Sequence, residues 1–466
     1  MPQPVEPVNP IKKFLPAILA ISIFMQMLDS TILNTSLPAI ASDLKESPIN
    51  MQNAIVAYVL TLALFMPVSG FLADKFGTKK VFIFSLVLFS IGSLFCAVSQ
   101  TLTQLVFSRV VQGVGGSLMT PVGRLALIRT YDKDELLVAM NYAIIPALIG
   151  PVLGPLIGGY LVVYLSWHWI FLINIPIGIV GIFLGWKYMP DYKNKDSFFD
   201  LKGFLIFASA SILLSVSLEV LGNEKHVTPV LLVLILSFLL LYFYYRHAKK
   251  TENPIFPLSL FLVRTFRIGI LGNLITRIGI SSVPLLIPLL LQVAYGKSAV
   301  ISGWIVAPMA ITAMFGKGAV IKILNRIGYK NTLRLNTTII GALIMCFAIP
   351  GVNTSIYWFV PIVAVLGFFN SIQFTAMNTL AIADLREKQT SSGNSLLSVN
   401  QQLAIGFGIA FGLLVLKIFE AQTQLIQGEI HYAFRYTFMV VGLLTIFSGF
   451  VFRRLHTTDG NNLKTH

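Results

Sequence analysis

An acidic residue, Asp29, stands in the middle of an apolar stretch, FLPAILAISIFMQMLDSTILNTSLPAIA, that runs from Phe14 to Ala41. A carboxylate in the hydrocarbon of a bilayer costs roughly 2.5–3.5 kcal/mol on insertion scales, so it is expected to be paired or functional. A buried carboxyl group can also bind and release a proton, at a pH set by burial and by nearby charges. Asp29 is therefore the first candidate for chemistry in this chain.

A basic residue, Arg109, lies at a similar depth on a different apolar run. Arg109 is about 9 Å inside a run that starts near Thr103, whereas Asp29 is about 13 Å from the same surface if the membrane ends at Pro38, at about 1.5 Å per helical residue. Two interpretations stay open. The two residues form a static ion pair, or Asp29 takes up and releases a proton beside Arg109.

A second arginine, Arg277, lies about twelve residues into the run FRIGILGNLITRIGISSVPLLIPLLLQ, near the predicted middle of the membrane. No acid is evident at this depth in the second half of the chain, because Asp384 and Glu387 lie at the end of a run. Arginine binds carboxylates through two parallel hydrogen bonds. Arg277 is therefore a partner of Asp29 or of backbone carbonyls, or it binds an anionic group.

The composition requires a membrane around these residues. The chain has 466 residues, of which 56% are hydrophobic and 11% charged, whereas about 25% are charged in soluble domains. Fourteen apolar runs lie between residues 12 and 452, and each is close to the roughly 20 residues that cross a bilayer. The sequence therefore predicts fourteen membrane-spanning helices.

The distribution of positive charge predicts the orientation. With the N-terminus inside, 27 of the 34 Lys and Arg residues fall on the inner side, 5 on the outer side and 2 within spans. This asymmetry is the positive-inside rule, and it places both termini in the cytoplasm. It also puts Lys195 and Lys250 inside and Lys225 outside. The net charge of +15 thus reflects topology and does not indicate nucleic-acid binding.

Five motifs occur in order along the first six runs. They are LDSTILNTSLP (28–38), GFLADKFGTKK (70–80), RVVQGVGGS (109–117), GPVLGPLIGG (150–159) and WHWIFLINIPIG (167–178). With them the chain resembles the major facilitator superfamily, and specifically its drug:proton antiporter branch with fourteen helices. The resemblance covers nearly the whole chain.

The resemblance implies an all-α membrane protein with the major facilitator fold, in which two six-helix bundles are joined by two extra central helices. We expect an N-terminal bundle over 1–190, the extra helices and a cytoplasmic linker over 191–264, a C-terminal bundle over 265–455 and a cytoplasmic tail over 456–466. Repeated halves with a site near the midplane are typical of secondary transporters.

The resemblance also implies roles for particular residues. It links Asp29 and Arg109 to proton coupling. The loop after the second run is expected to latch the cytoplasmic side, through Gly70, Asp74, Gly77, Lys79 and Lys80.

The fifth run carries small residues at intervals of four, which let helices approach closely, and prolines, which permit bending. Close helix packing is one interpretation. The resemblance adds that this face seals the two halves on one side and is typical of exporters. The residues concerned are Gly150, Pro151, Gly154, Pro155, Gly158 and Gly159.

Polar side chains within other runs need partners or a cavity, because lipid offers no hydrogen bonds. Some are expected to line the central pathway, although hydrogen bonds between helices explain them almost as well. The candidates for the substrate cavity are Asn34, Gln112, Arg277, Gln292, Asn370, Gln373, Asn378 and Gln401.

Several classes of catalytic motif are absent from the sequence. We find no G-x-x-x-x-G-K-[ST] loop for ATP, no H-E-x-x-H and no G-x-S-x-G, so the energy source must be an ion gradient or the gradient of the substrate itself. We expect no cofactor and no metal site. The expected partners are a small-molecule substrate, protons and the lipid bilayer; we expect a monomer, and accessory export proteins are left open.

The function we expect is proton-coupled export of small organic compounds or drugs across the bacterial inner membrane, by alternating access and without enzymatic activity. One alternative is an exporter of an anionic metabolite or a metal chelate, which Arg277 favours. A membrane-embedded enzyme or sensor is the remote alternative, since the catalytic motifs are missing.

Overall fold

The computed structural model describes residues 10–194, 198–221, 227–351, 353–425 and 429–461. Within these ranges the chain is helical, with short connections and no β-strand. The predicted positions of Lys195 and Lys225 lie outside the described residues, as do the first nine residues and residues 462–466 of the predicted tail.

One span of the first bundle is broken into two helices. The pair α2 and α3 bends by 57° at Met66 and Pro67, because proline cannot donate the hydrogen bond that would continue the helix. Its helices are α1 (Pro10–Asp43), α2 (Gln52–Phe65), α3 (Val68–Phe76), α4 (Thr78–Ala97), α5 (Leu102–Thr130), α6 (Lys133–Tyr164), α7 (Trp169–Leu172) and α8 (Asn174–Tyr188).

Two linking helices follow, α9 (Leu201–Leu221) and α10 (Val227–Lys250). Asp200 anchors their ends, because its carboxylate accepts hydrogen bonds from the backbone N–H of Gly203 at 2.8 Å and of Ile255 at 3.3 Å. Helix α9 packs on the first bundle through the rings of Phe65 and Phe204, whose centroids are 5.8 Å apart.

The second bundle contains one long helical segment that is interrupted at a glycine. In α13 the backbone of Gly328 adopts φ 74° and ψ 166°, which breaks the helix there, a conformation that glycine permits at little cost. The helices are α11 (Arg264–Ile280), α12 (Val283–Leu289), α13 (Ala299–Cys346), α14 (Phe359–Ile382), α15 (Glu387–Leu425) and α16 (Ile430–Ser448).

The described residues show fewer candidate spans than the fourteen predicted. Among the described residues, nine helices are long and apolar enough to cross a membrane, or ten if the bent pair α2–α3 is one span. Helix α5 is not among them; it carries Arg109, Gln112 and Arg124 in its interior. A multi-pass membrane protein follows from these helices, whereas the count of fourteen stays a prediction.

The hydrogen bonds between the two bundles lie toward one end of the described part of the molecule. We call the end that holds Lys12, Gly77 and Arg129 the basic face, and the opposite end the far face. Three hydrogen bonds join the bundles among the described residues, and all three lie toward the far face. They link Gln292 Nε2 to the carbonyl of Thr35 at 3.0 Å, Trp304 Nε1 to Tyr160 Oη at 3.3 Å, and Lys417 Nζ to Asn50 Oδ1 at 3.0 Å.

Candidate functional site

The carboxylate of Asp29 lies inside the first bundle and is held by three side chains. Its Oδ2 accepts a hydrogen bond from Nη1 of Arg109 at 2.6 Å. Its Oδ1 accepts from Nε2 of Gln112 at 2.8 Å and from Nδ2 of Asn174 at 3.1 Å. Helix α1 supplies the acid, α5 the base and Gln112, and α8 the asparagine, so the site joins three helices of one bundle.

The guanidinium of Arg109 is enclosed as completely as its partner. Its Nε donates to the backbone carbonyl of Ala54 at 3.3 Å, and its Nη1 also donates to Oε1 of Gln112 at 2.6 Å. Its Cζ lies 3.9 Å from the ring centroid of Tyr58, a distance at which the ring face attracts a cation. Ser93 completes the group by accepting from Gln112 at 2.8 Å.

This arrangement satisfies a buried charge pair with further hydrogen bonds, the condition under which such pairs persist in apolar surroundings. The side chains of Arg109 and Asp29 are 1% and 0% exposed. Protonation of Asp29 would remove the charge that holds Arg109 and would weaken the contacts among α1, α5 and α8. The site can therefore couple a proton to helix packing once water reaches it.

Arg277 lies in the second bundle and is not the partner of Asp29. Its Nε donates to Oδ1 of Asn273 at 2.6 Å, and its Cζ lies 4.5 Å from the ring centroid of Phe374. Asn273 in turn donates to Oδ1 of Asn378 at 3.0 Å, which also accepts from Gln401 at 2.8 Å. These four polar side chains form one chain across α11, α14 and α15.

A cavity of about 190 Å³ adjoins this arginine. Of the predicted cavity residues, Arg277 and Asn370 both line it. The other lining residues are Ile280, Ser281, Pro284, Phe374, Met377 and Ile405.

Other predicted cavity residues lie elsewhere. Gln373 is fully buried and bonds Asn336 and Thr337 at 2.8 Å each, and Gln292 bonds Thr35 between the bundles. Both side chains form hydrogen bonds between helices, and their place on the substrate pathway stays a prediction. Gln112 belongs to the Asp29 site, and Asn34 is half-buried on α1.

The predicted loop from Gly70 to Lys80 is instead the end of α3 and the start of α4 with Gly77 between them, and it is anchored within its own bundle. Asp74 Oδ1 pairs with Arg129 at 2.8 Å. Gly77 has φ 102°, and a Cβ there would collide with Asp191. The side chains of Lys79 and Lys80 form no ion pair with other described residues. A Cβ on Gly70 would meet nothing within 4 Å.

The glycines of α6 pack mainly against α1. A Cβ at Gly154 would collide with Oγ1 of Thr31, one at Gly150 would lie 2.9 Å from Met27, and one at Gly158 would lie 2.5 Å from the carbonyl of Ile32. Gly159 faces the second bundle, because its Cβ would lie 2.5 Å from the carbonyl of Ala299. The repeated face therefore holds α1, and the contact between bundles comes from the neighbouring position.

Thr35 donates a hydrogen bond to the carbonyl of Pro155 at 3.3 Å. Pro155 itself has no N–H, so it cannot donate the usual helical hydrogen bond to the carbonyl four residues before it. Pro151 lies one turn earlier on the same helix.

A larger cavity, of about 1070 Å³, opens near the basic face between α1 and α6. Apolar side chains dominate its lining, and Lys12 at its rim bonds Glu135 at 2.5 Å. Asp29 does not line it. Among the described residues, no three His, Cys, Asp or Glu side chains are grouped to hold a metal ion.

Four residues of these two sites were missed from the sequence. Asn174, Ser93 and Tyr58 surround the Asp29–Arg109 pair, and Asn273 holds Arg277. The two asparagines are polar residues inside apolar runs, the same signal that identified Asn378. Ser93 and Tyr58 give no such signal, because serine and tyrosine are common in apolar helices.

Comparison with known proteins agrees with this architecture. Residues 19–409 match the family model described as Major Facilitator Superfamily. The chain is 42% identical over 450 residues to the "Probable transport protein HsrA" of Haemophilus influenzae, covering 96% of each chain. It is 40% identical over 443 residues to the "Putative multidrug resistance protein MdtD" of Pectobacterium carotovorum, covering 94% of each.

Among solved structures, a bacterial homologue of the human lysosomal transporter Spinster, in an inward-facing and unoccupied conformation, shares the fold with a TM-score of 0.68. It is 13% identical and covers 98% of both chains.

Proposed function

The chain belongs to the major facilitator superfamily, and we propose that it exports small organic compounds across the bacterial inner membrane in exchange for protons. The observation that carries this proposal is the Asp29–Arg109 pair, which is sealed inside the first bundle and bonded to three helices. The name of the MdtD relative supports drugs as the substrate class.

The coupling follows from the chemistry of this pair. Ionised Asp29 keeps Arg109, Gln112 and Asn174 bound to it and holds α1 against α5 and α8. A proton on Asp29 removes its negative charge, which weakens the hydrogen bonds from these three side chains. If the protonated form favours one orientation of the bundles, proton binding drives the exchange of access between the two faces.

The orientation is part of the proposal. Of the 34 Lys and Arg residues, 27 fall on the side of the N-terminus in the fourteen-span topology, so the basic face is cytoplasmic. The bonds between the bundles all lie near the far face. The conformation described here is then the one closed toward the periplasm.

The test is transport in proteoliposomes with an imposed pH gradient. Asp29→Asn keeps a hydrogen-bond acceptor but cannot exchange a proton, so we expect it to stay folded and to lose gradient-driven transport. Asp43→Asn is the matched control, because it makes the same change on the same helix where Asp43 accepts a bond from Trp167 at 2.8 Å. Gradient-driven efflux at the wild-type rate in Asp29→Asn would show that Asp29 does not couple transport to protons.

A further inference from the structure

Arg277 carries a positive charge, and none of the described acidic residues neutralises it. Among the described residues, no Asp or Glu carboxylate forms an ion pair with it, whereas Arg109 in the first bundle is paired with Asp29 at 2.6 Å. A cation held in an apolar interior without a counter-charge is costly. Asp29 is therefore not the partner of Arg277, and the charge of Arg277 needs another counter-charge.

The guanidinium is fixed in place and yet incompletely bonded. Asn273 holds its Nε at 2.6 Å and Phe374 covers its face. Its Nη2 is buried and has no hydrogen-bond partner. Nη1 also has no partner among the described residues, but it is not fully buried and belongs to a side chain that lines the cavity. The edge formed by Nη1 and Nη2, which can bind a carboxylate end-on, thus has no hydrogen-bond partner among the described residues.

The supporting network orients this edge and does not neutralise it. Asn273, Asn378 and Gln401 are uncharged, and their mutual bonds of 3.0 and 2.8 Å use Oδ1 of Asn378 as a shared acceptor. The network fixes the one oxygen that accepts from Arg277 Nε. An arginine that is held in place and lacks a counter-charge is suited to bind an anion, because its planar guanidinium can donate two parallel hydrogen bonds to a carboxylate.

The cavity beside Arg277 has polar and apolar walls. Asn370 and Ser281 line it and form no side-chain hydrogen bond with other described residues, so both can bond a ligand. Ile280, Met377 and Ile405 supply apolar surface. The volume of about 190 Å³ suits a small group such as one ring or a short acyl segment with a charged head.

We propose that Arg277, with Asn370 and Ser281, is the binding subsite for a carboxylate or similar anionic group of the transported compound. This inference rests on the proposed transport function and specifies its substrate class as organic anions with an apolar body. The anion supplies the counter-charge that the second bundle lacks.

The test measures equilibrium binding without any gradient, so that it does not depend on proton coupling. Purified protein is titrated with benzoate and, as a neutral control of the same shape, with benzamide, and binding is followed by calorimetry and by thermal stabilisation. We expect benzoate to bind the wild type at least tenfold more tightly than benzamide.

Variants locate the effect at Arg277. Arg277→Gln should weaken benzoate binding by about ten- to a hundredfold, the range for a lost hydrogen bond to a charged group, and leave benzamide unchanged. Arg277→Lys should recover only part, since it keeps the charge but lacks the planar fork. Arg326→Gln is the matched control, because Arg326 is exposed and outside the cavity.

Equal affinity of the wild type for benzoate and benzamide, or benzoate binding that survives in folded Arg277→Gln, would overturn the subsite. If Arg277→Gln fails to fold, Asn370→Ala and Ser281→Ala provide the second test. We expect each of these variants to bind benzoate more weakly than the wild type. Unchanged benzoate affinity in both would contradict the proposal. If benzoate does not bind at Arg277 but pH-driven transport is intact, the subsite is wrong and the proposed function stands. If pH-driven transport is lost in the wild type but benzoate binds at Arg277, the proton coupling is wrong and the subsite stands.

Discussion

Arg109 donates a hydrogen bond of 2.6 Å to Asp29, and neither side chain is more than 1% exposed. Arg129 and Asp74 form a pair of the same chemistry at 2.8 Å, but their side chains are 30% and 21% exposed. Burial therefore separates two Arg–Asp pairs in one bundle, and it should separate their energetics.

Breaking the buried pair should be severe. Asp29→Leu leaves Arg109 without an anion and also without the hydrogen-bond acceptor that asparagine would keep, so we expect a loss of about 3–5 kcal/mol of stability. The double variant Asp29→Leu/Arg109→Leu removes both charges and should recover much of that loss. Chemical unfolding of the purified variants measures both, and a double variant that is less stable than Asp29→Leu would show that the charges are not coupled.

Breaking the exposed pair should be mild. Asp74→Asn is expected to change the free energy of unfolding by less than about 1 kcal/mol, because solvent screens a partly exposed pair. The same unfolding assay applies. A loss as large as that of Asp29→Leu would mean that the loop around Gly77 contributes to stability through more than this contact.

The packing of α6 on α1 predicts a difference between two glycines. Gly154→Ala puts a methyl group onto Oγ1 of Thr31 and 2.8 Å from its Cβ, so we expect a loss of about 1–3 kcal/mol from overpacking. Gly70→Ala is the control, since nothing lies within 4 Å of its Cβ. Melting temperatures of the two variants compare them directly, and equal values would contradict the close approach.

The topology is tested by reporter fusions. Fusions at Lys195 and Lys250 should report the cytoplasm, and a fusion at Lys225 should report the periplasm, because the 27-to-5 distribution of Lys and Arg sets the orientation. Paired reporters that are active on opposite sides of the membrane give the readout. A cytoplasmic signal at Lys225 would remove the two linking spans and reduce the predicted count to twelve.

The sequence predicted a contact best where the depth of two residues in the membrane is enough to bring them together. Asp29 and Arg109 were placed at similar depths from the rise of a helix, and their side chains are in contact. Gln373 and Gln292 were less predictable. Each is a polar residue in an apolar run, and the direction in which it points depends on which helix lies beside it. Gln373 faces Asn336 on α13, and Gln292 reaches Thr35 on α1.

By itself, the sequence determined that this is a helical membrane protein of the major facilitator type, because apolar runs, their flanking charges and ordered motifs are properties of the chain read along its length. Only the tertiary structure decided that Asp29 is bound by Arg109, Gln112 and Asn174, while Arg277 has no acidic partner within the part of the chain that the structure describes. The physical reason is that helical rise fixes how deep a residue lies, whereas its neighbours depend on how the helices are arranged and rotated. Those are set by packing among residues far apart in sequence.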